Sequence, residues 1–196
     1  MGKPNLHADI RWPAFKDQYG ADLCAFAAEV CGAELNADTR AVYLSASKPS
    51  TRMVLSEVAN KSSARLAAVA LWAMLFHARN EVVVIAPRCV VHKHHWAIYK
   101  QVLAGTHSWL GEYLLLSQAG LRTHAGYAGP RIYFRTAINC APENLAGIYG
   151  NQVLLLVEGA LGIGDNCMQV LRASIDGPVI SKVLALSGLT IVQTTQ

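Results

Sequence analysis

Lys61 and Ser62 stand side by side in LSEVANKSSARLAAVALWAMLF, residues 55–76, where a short apolar stretch hands over to a long apolar helix. A lysine and a hydroxyl at a helix start can hold an anion, because the first turn carries free N–H groups and a partial positive charge. A loop that wraps phosphate needs more. It turns consecutive backbone N–H groups inward and uses glycine where φ is positive or the backbone comes close. Here Lys61 is preceded by Ser56, Glu57, Val58, Ala59 and Asn60. Val58 is β-branched and would be an outlier at positive φ, whereas Asn60 tolerates it. Forcing the loop would cost about 1–3 kcal/mol, so a relaxed loop is expected. Two readings follow: a weak anion site at Lys61 and Ser62, or Asn60 capping the helix with Lys61 in water. Loop chemistry favours the second.

Other side chains invite chemistry less. HKHHW (92–96) puts His92 and His95 three apart on one helical face, which suggests a metal, yet no Asp, Glu or Cys nearby in sequence completes a ligand set. An exposed basic helix face is the expectation, and Lys93, Lys100 and Trp96 on it could meet DNA phosphates. Arg122, Arg131 and Arg135 flank RIYF (131–134) and read as solvated edge residues, with contact to DNA or a neighbouring subunit as the alternative. Spacing supports no Ser-His-Asp or Cys-His arrangement.

The elements that must position these groups follow from apolar periodicity. AFKDQYGADLCAFAAEVCGAEL (14–35) spaces Phe15, Tyr19, Leu23, Phe26, Ala27 and Val30 as one amphipathic helix ended by Gly32. NADTRAVYLSA (36–46) reads as a shorter helix capped by Asn36 or Asp38. The pattern then alternates: strand 51–56, helix 62–76, the β-branched strand 81–87 and helix 89–103. THSWLGEYLLLSQ (106–118) is expected to be helical, and PRIYFRTA (130–137) to be a strand with Ile132 and Phe134 on one face. Strand 151–159, helix 165–174 and a third buried strand, 181–188, complete the chain. Unbroken apolar strands separated by helices predict a mainly parallel sheet covered on both faces. The helix at 62–76 has no polar face, so it should lie between the sheet and the N-terminal helices.

Bulk properties bound the reading. A hydrophobic share of 53% with 15% charged residues describes a buried interior and excludes a disordered chain. At 196 residues one domain is expected. No apolar run approaches the ~20 residues of a membrane span, and the N-terminus has no secretory pattern, so a bacterial cytoplasm is expected. Cys24, Cys31, Cys89, Cys140 and Cys167 are odd in number and widely spaced, which predicts reduced, buried thiols. The net charge of +4 permits nucleic-acid contact without demonstrating it.

The order of elements, together with RIYFRTAINCAPENLAGIYGNQVLLLVEGALGI (131–163), resembles the ATPase module of the large terminase subunit, which packs DNA into the procapsids of tailed bacteriophages. The features that carry the resemblance are ENLAGIYG followed by the apolar strand VLLLVEGALGI. The resemblance implies an α/β fold: a three-layer P-loop NTPase-like core over 51–196, preceded by a helical segment over 1–50, in one domain without the nuclease domain. It implies ATP and magnesium as cofactors. Ser56, Asn60, Lys61 and Ser62 would hold nucleotide, with Lys61 on the β- and γ-phosphates, and Ser62 and Glu158 would ligate magnesium. Ser187, Gly188 and Thr190 fall at the coupling motif, and Asp38, Thr39 and Arg40 where a glutamine often reads adenine.

The departures from the family are unequal. Glu158 replaces an Asp of the same charge, but Gly159 replaces the Glu that orients the attacking water and supplies no side chain. Asp165 lies beyond the strand end and is not expected to substitute. The resemblance therefore implies a degenerate, truncated module of phage or prophage origin with impaired or absent hydrolysis, acting as a structural or regulatory partner. Its partners would be DNA, other terminase subunits or the portal, with a homo-oligomer possible and no membrane. The alternatives are an active packaging ATPase completed by a partner subunit, and an interaction protein that reuses the fold outside packaging.

Overall fold

The computed structural model describes residues 4–58, 62–76, 81–124, 129–137, 145, 153–174, 179–186 and 189–194. Alternation within the strands explains the layering. Strand β1 (Thr51–Ser56), strand β2 (Glu81–Ala86), strand β5 (Arg131–Thr136) and strand β6 (Val153–Glu158) run parallel in the order β5-β2-β6-β1. In β2, Val82 and Val84 face one apolar cluster while Val83 and Ile85 face a second. Leu154 and Leu156 of β6 likewise join the first cluster, and Leu155 and Val157 the second. Because successive side chains point to opposite faces, an unbroken apolar strand requires cover on both.

The first face is covered by helix α1 (Trp12–Tyr19), helix α2 (Leu23–Ala25, continuing as a π turn over Phe26–Val30), helix α3 (Ala37–Ala46), helix α4 (Ser63–Phe76) and helix α5 (Cys89–Ala104). Helix α6 (Asp165–Ala173) covers the second through Cys167 and Leu171. Helix α4 is buried from Leu66 to Leu75 and packs between the sheet and the N-terminal helices, as its lack of a polar face predicts. Trp12 stacks on Phe76 at 5.5 Å, and the Trp72 indole N–H donates to the Tyr19 carbonyl at 2.8 Å. Among the described residues no helix is long and apolar enough to cross a membrane.

Several expectations are corrected. The N-terminal helix is not continuous: it stops at Tyr19 and restarts at Leu23, because the Asp22 carboxylate caps the new turn by accepting from the Ala25 N–H at 2.9 Å. Of the two expected caps of α3, Asn36 is the one that serves, accepting from the Thr39 N–H at 2.8 Å. The 106–118 stretch is not one helix but a short 3-10 turn (Ser108–Glu112) and strand β3 (Leu114–Ser117), which pairs with strand β4 (Gly120–Thr123). The turn at Gln118–Ala119 lets the leucine run close a hairpin instead of extending a helix.

The 181–188 segment falls in strand β7 (Val179–Leu186), which is antiparallel and at the sheet edge. Strand β8 (Leu189–Thr194), which was not foreseen, lies between β7 and β1 and is antiparallel to both. The full order is β3-β4-β5-β2-β6-β1-β8-β7, so the protein is α/β with a mixed sheet that is parallel only in its centre. The thiols match the expectation only in part. Cys24 and Cys31 are buried and free, Cys89 is free but exposed, and Cys167 is disulfide-bonded; Cys140 lies outside the described residues. Spacing in sequence does not show which cysteines meet in space.

Gly120 adopts φ +136°, and a Cβ there would lie 1.9 Å from the Ile132 carbonyl oxygen. Gly120→Ala is expected to destabilise the chain by at least about 2 kcal/mol in urea unfolding, through backbone strain and displacement of β5. Gly111, whose Cβ position meets only the Leu103 carbonyl oxygen at 3.8 Å, serves as control, and Gly111→Ala should change stability by less than about 0.5 kcal/mol.

Candidate functional site

The carboxyl ends of β1 and β6 lie side by side, with Ser56 in register with Glu158. Ligands of α/β sheets bind at this edge. Gly159 then adopts a left-handed conformation (φ 77°, ψ 44°), and its N–H donates to the Ser56 carbonyl at 2.9 Å. The Leu161 N–H reaches the Glu57 carbonyl at 3.2 Å, so the two chain segments remain tied beyond the strands. A glutamate at 159 would meet a left-handed penalty of roughly 1–2 kcal/mol, so the glycine suits this turn.

Helix α4 begins immediately beside this edge. The Ser62 carbonyl accepts from the Leu66 N–H at 2.9 Å, and the Ser62 hydroxyl donates to Ser56 Oγ at 2.5 Å. Ser56 Oγ in turn donates to the Val58 carbonyl at 2.9 Å. Ser63, the next residue, points its hydroxyl at Glu158 and donates to Oε1 at 2.5 Å. The other carboxylate oxygen, Oε2, lies 2.8 Å from His95 Nε2 on α5. Glu158 and His95 are both fully buried. An ionised carboxylate only accepts, so with Glu158 charged the proton of this contact sits on His95 Nε2. Three elements thus converge on one buried charge.

Ser63 and His95 were not singled out by sequence reasoning as partners of Glu158. His95 nevertheless left a trace: Val91, His95, Tyr99 and Val102 recur at three- and four-residue spacings and are all buried. That is the pattern of a helix face turned inward. The expected exposed face of His92 and His95 is therefore corrected, since both are buried and the exposed side of α5 carries Lys93, His94, Trp96 and Lys100. The carboxylate that sequence proximity did not supply arrives from Glu158, 63 residues away.

His92 stacks on Phe134 at 4.8 Å with an 11° tilt, and its Nε2 has no partner. Burial, reinforced by the neighbouring His95, pushes its pKa down to about 4, with Glu158 opposing. His92 is therefore neutral near pH 7 and stacks face to face on Phe134.

The remaining candidates are dispersed. Lys100 sits over the Trp96 ring at 5.3 Å, and Lys93 lines a surface cavity of about 690 Å³ with Cys89, Gln118 and Phe134. Arg131 is held by Glu81, with its Nε donating at 2.9 Å, and lies 4.5 Å over the Tyr133 ring. Arg135 is exposed on β5, and Arg122 on β4 is in register with Arg131. Thr190 lies in β8 opposite Leu55. Asp165 opens α6 and is exposed. Asp38, Thr39 and Arg40 lie in α3. Asn60, Lys61, Ser187 and Gly188 lie outside the described residues.

The residues do not fit magnesium as arranged. Magnesium demands near-octahedral oxygen ligation and dehydrates reluctantly. Both oxygens of Glu158 already accept, from Ser63 and His95, the His95 imidazole lies against Oε2, and the Ser62 hydroxyl directs its proton to Ser56. No group of three His, Cys, Asp or Glu side chains is placed to hold a metal among the described residues.

Removing the His95 donor would leave Glu158 buried with one oxygen deprived of its charge-assisted bond. His95→Ala is expected to cost about 3–5 kcal/mol in chemical denaturation, more than Ser63→Ala at about 1–2 kcal/mol. His92 makes a pH prediction of defined sign. The unfolded chain binds a proton near pH 6.5 that the folded chain refuses until about 4, so stability falls as pH drops through that window. The loss at pH 4 should be on the order of 3 kcal/mol. His92→Phe should flatten this slope when wild type and variant are unfolded in urea at a series of pH values. No family model matches the chain, and no curated protein or solved structure matches it.

Proposed function

We propose that the chain is an ATPase-like module of the large terminase type, with a degenerate P-loop NTPase-like core, that hydrolyses ATP slowly or not at all. Its role in phage or prophage DNA packaging is structural or regulatory. The support is positional: an apolar strand and a long buried helix that begins just after Ser62 meet a second strand ending in a carboxylate, at the edge where α/β sheets take ligands. The observation that carries the reading is Gly159. It follows the buried Glu158 in a left-handed turn, and no side chain stands there to orient a water. Phosphoryl transfer depends on positioning and electrostatics, so loss of that group removes most of the rate.

Phosphate release measured at steady state with ATP, magnesium, DNA and procapsids tests this directly. No turnover above background is expected, and Lys61→Ala should leave that background unchanged. Turnover that Lys61→Ala abolishes would overturn the reading in favour of an ATPase completed by a partner subunit. Retention of neither DNA nor packaging proteins in a pull-down would place the chain outside packaging altogether.

A further inference from the structure

The cavity of about 690 Å³ lies between helix α5, strand β5 and the turn at Gln118, and neither Ser63, His95 nor Glu158 lines it. Its wall on α5 is a single stripe. Cys89, His92, Lys93 and Trp96 recur at three- and four-residue spacings and so share one face of the helix. Phe134 faces them from β5, and the His92 ring stacks on it at 4.8 Å with an 11° tilt. Much of the wall is therefore aromatic, with the Trp96 indole still 36% exposed. The charge is of one sign. Lys93 is the single formally charged residue of the lining, since His92 stays neutral near pH 7. Helix α5 carries no Asp or Glu along its 16 residues, and Lys100 lies over the Trp96 ring at 5.3 Å. We propose that this cavity binds a small aromatic anion, with its ring system packed against Trp96 and Phe134 and its charge at Lys93.

The division of labour follows from the lining. A cavity of this size, mostly apolar with a few placed polar groups, has the character of a small-molecule site. Rings on the wall reward a planar aromatic ligand with a large contact area and favourable ring geometry. One cation with no opposing acid makes the local potential positive and selects against a cation. Lys93 is exposed, so it sets the sign of the ligand and contributes only modestly to affinity. His92 adds a polar demand: it is only 7% exposed, yet its Nε2 has no partner. A buried polar atom in that state is a common mark of a water or ligand position. A nucleic-acid strand is the less favoured occupant, because tracking a phosphate backbone takes several cations and only Lys93 lines the cavity. The inference uses no residue of the β1–α4 edge and holds whether or not the chain handles nucleotide.

Anilinonaphthalene sulfonate, an aromatic anion, and the same ring system without its sulfonate are the probes. Cys89 is the local reporter, because it is a free, exposed thiol on the cavity wall. Bound sulfonate probe should slow alkylation of Cys89 by iodoacetamide, followed as the mass of the Cys89 peptide. Trp96→Ala should weaken both probes by at least about tenfold, through lost ring contact. Lys93→Gln should weaken the sulfonate about three- to fivefold and leave the neutral probe unchanged. Both side chains are exposed, so these variants keep the core intact. An unchanged alkylation rate at saturating sulfonate would overturn the proposal, and the wild-type chain alone decides that point. Equal weakening of both probes by Lys93→Gln would overturn it too. Protection of Cys89 by single-stranded DNA but not by the sulfonate would also overturn it and make the face a nucleic-acid surface.

Discussion

A carboxylate without solvent must find its hydrogen bonds inside the protein, and Glu158 finds them from two helices at once. Stripping water from such a group costs several kcal/mol, while each hydrogen bond to a charged group returns about 1.5–3 kcal/mol. The sheet carries Glu158 to its edge, α4 brings Ser63 from one side, and α5 brings His95 from the other. The site is therefore a load shared among β6, α4 and α5, and it constrains how those helices sit on the sheet.

That constraint is met because α4 has no alternative position. Its surface is apolar nearly all round, so it is held between the sheet and the aromatic side chains of the N-terminal helices, including Trp12, Phe15 and Phe26. A helix gripped on both sides presents its first turn to the sheet edge with little freedom. The same packing that stabilises the core thus aims Ser63 at Glu158. On α5, the buried stripe that places Tyr99 and Val102 in the core delivers His95 to the carboxylate as well.

Much of the central architecture was legible from periodicity. Val82 to Ile85 and Leu154 to Val157 are apolar at consecutive positions, which makes sense only for strands covered on both faces, and both are central. The periphery was less legible. Leu114 to Leu116 fit a helix or a strand equally well until the Gly120 turn and pairing with β5 decide between them. Strands β7 and β8 were misjudged for a related reason: a short apolar run carries no direction, and antiparallel pairing at an edge depends on which neighbour is available.

The sequence by itself determined that Glu158 ends an apolar strand, that Gly159 offers no side chain, and that residues before Lys61 lack the glycines of a phosphate loop. These follow from residue type alone, because a missing side chain or a β-branched Val58 limits chemistry in any fold. Only the tertiary structure decided which groups meet Glu158. Ser62 and Ser63 are chemically alike and adjacent, but the helix turns each residue by about a hundred degrees, which sends one hydroxyl to Ser56 and the other to the carboxylate. His95 lies 63 positions from Glu158, and their contact is created by a helix packing across a sheet, a relation that no local spacing encodes.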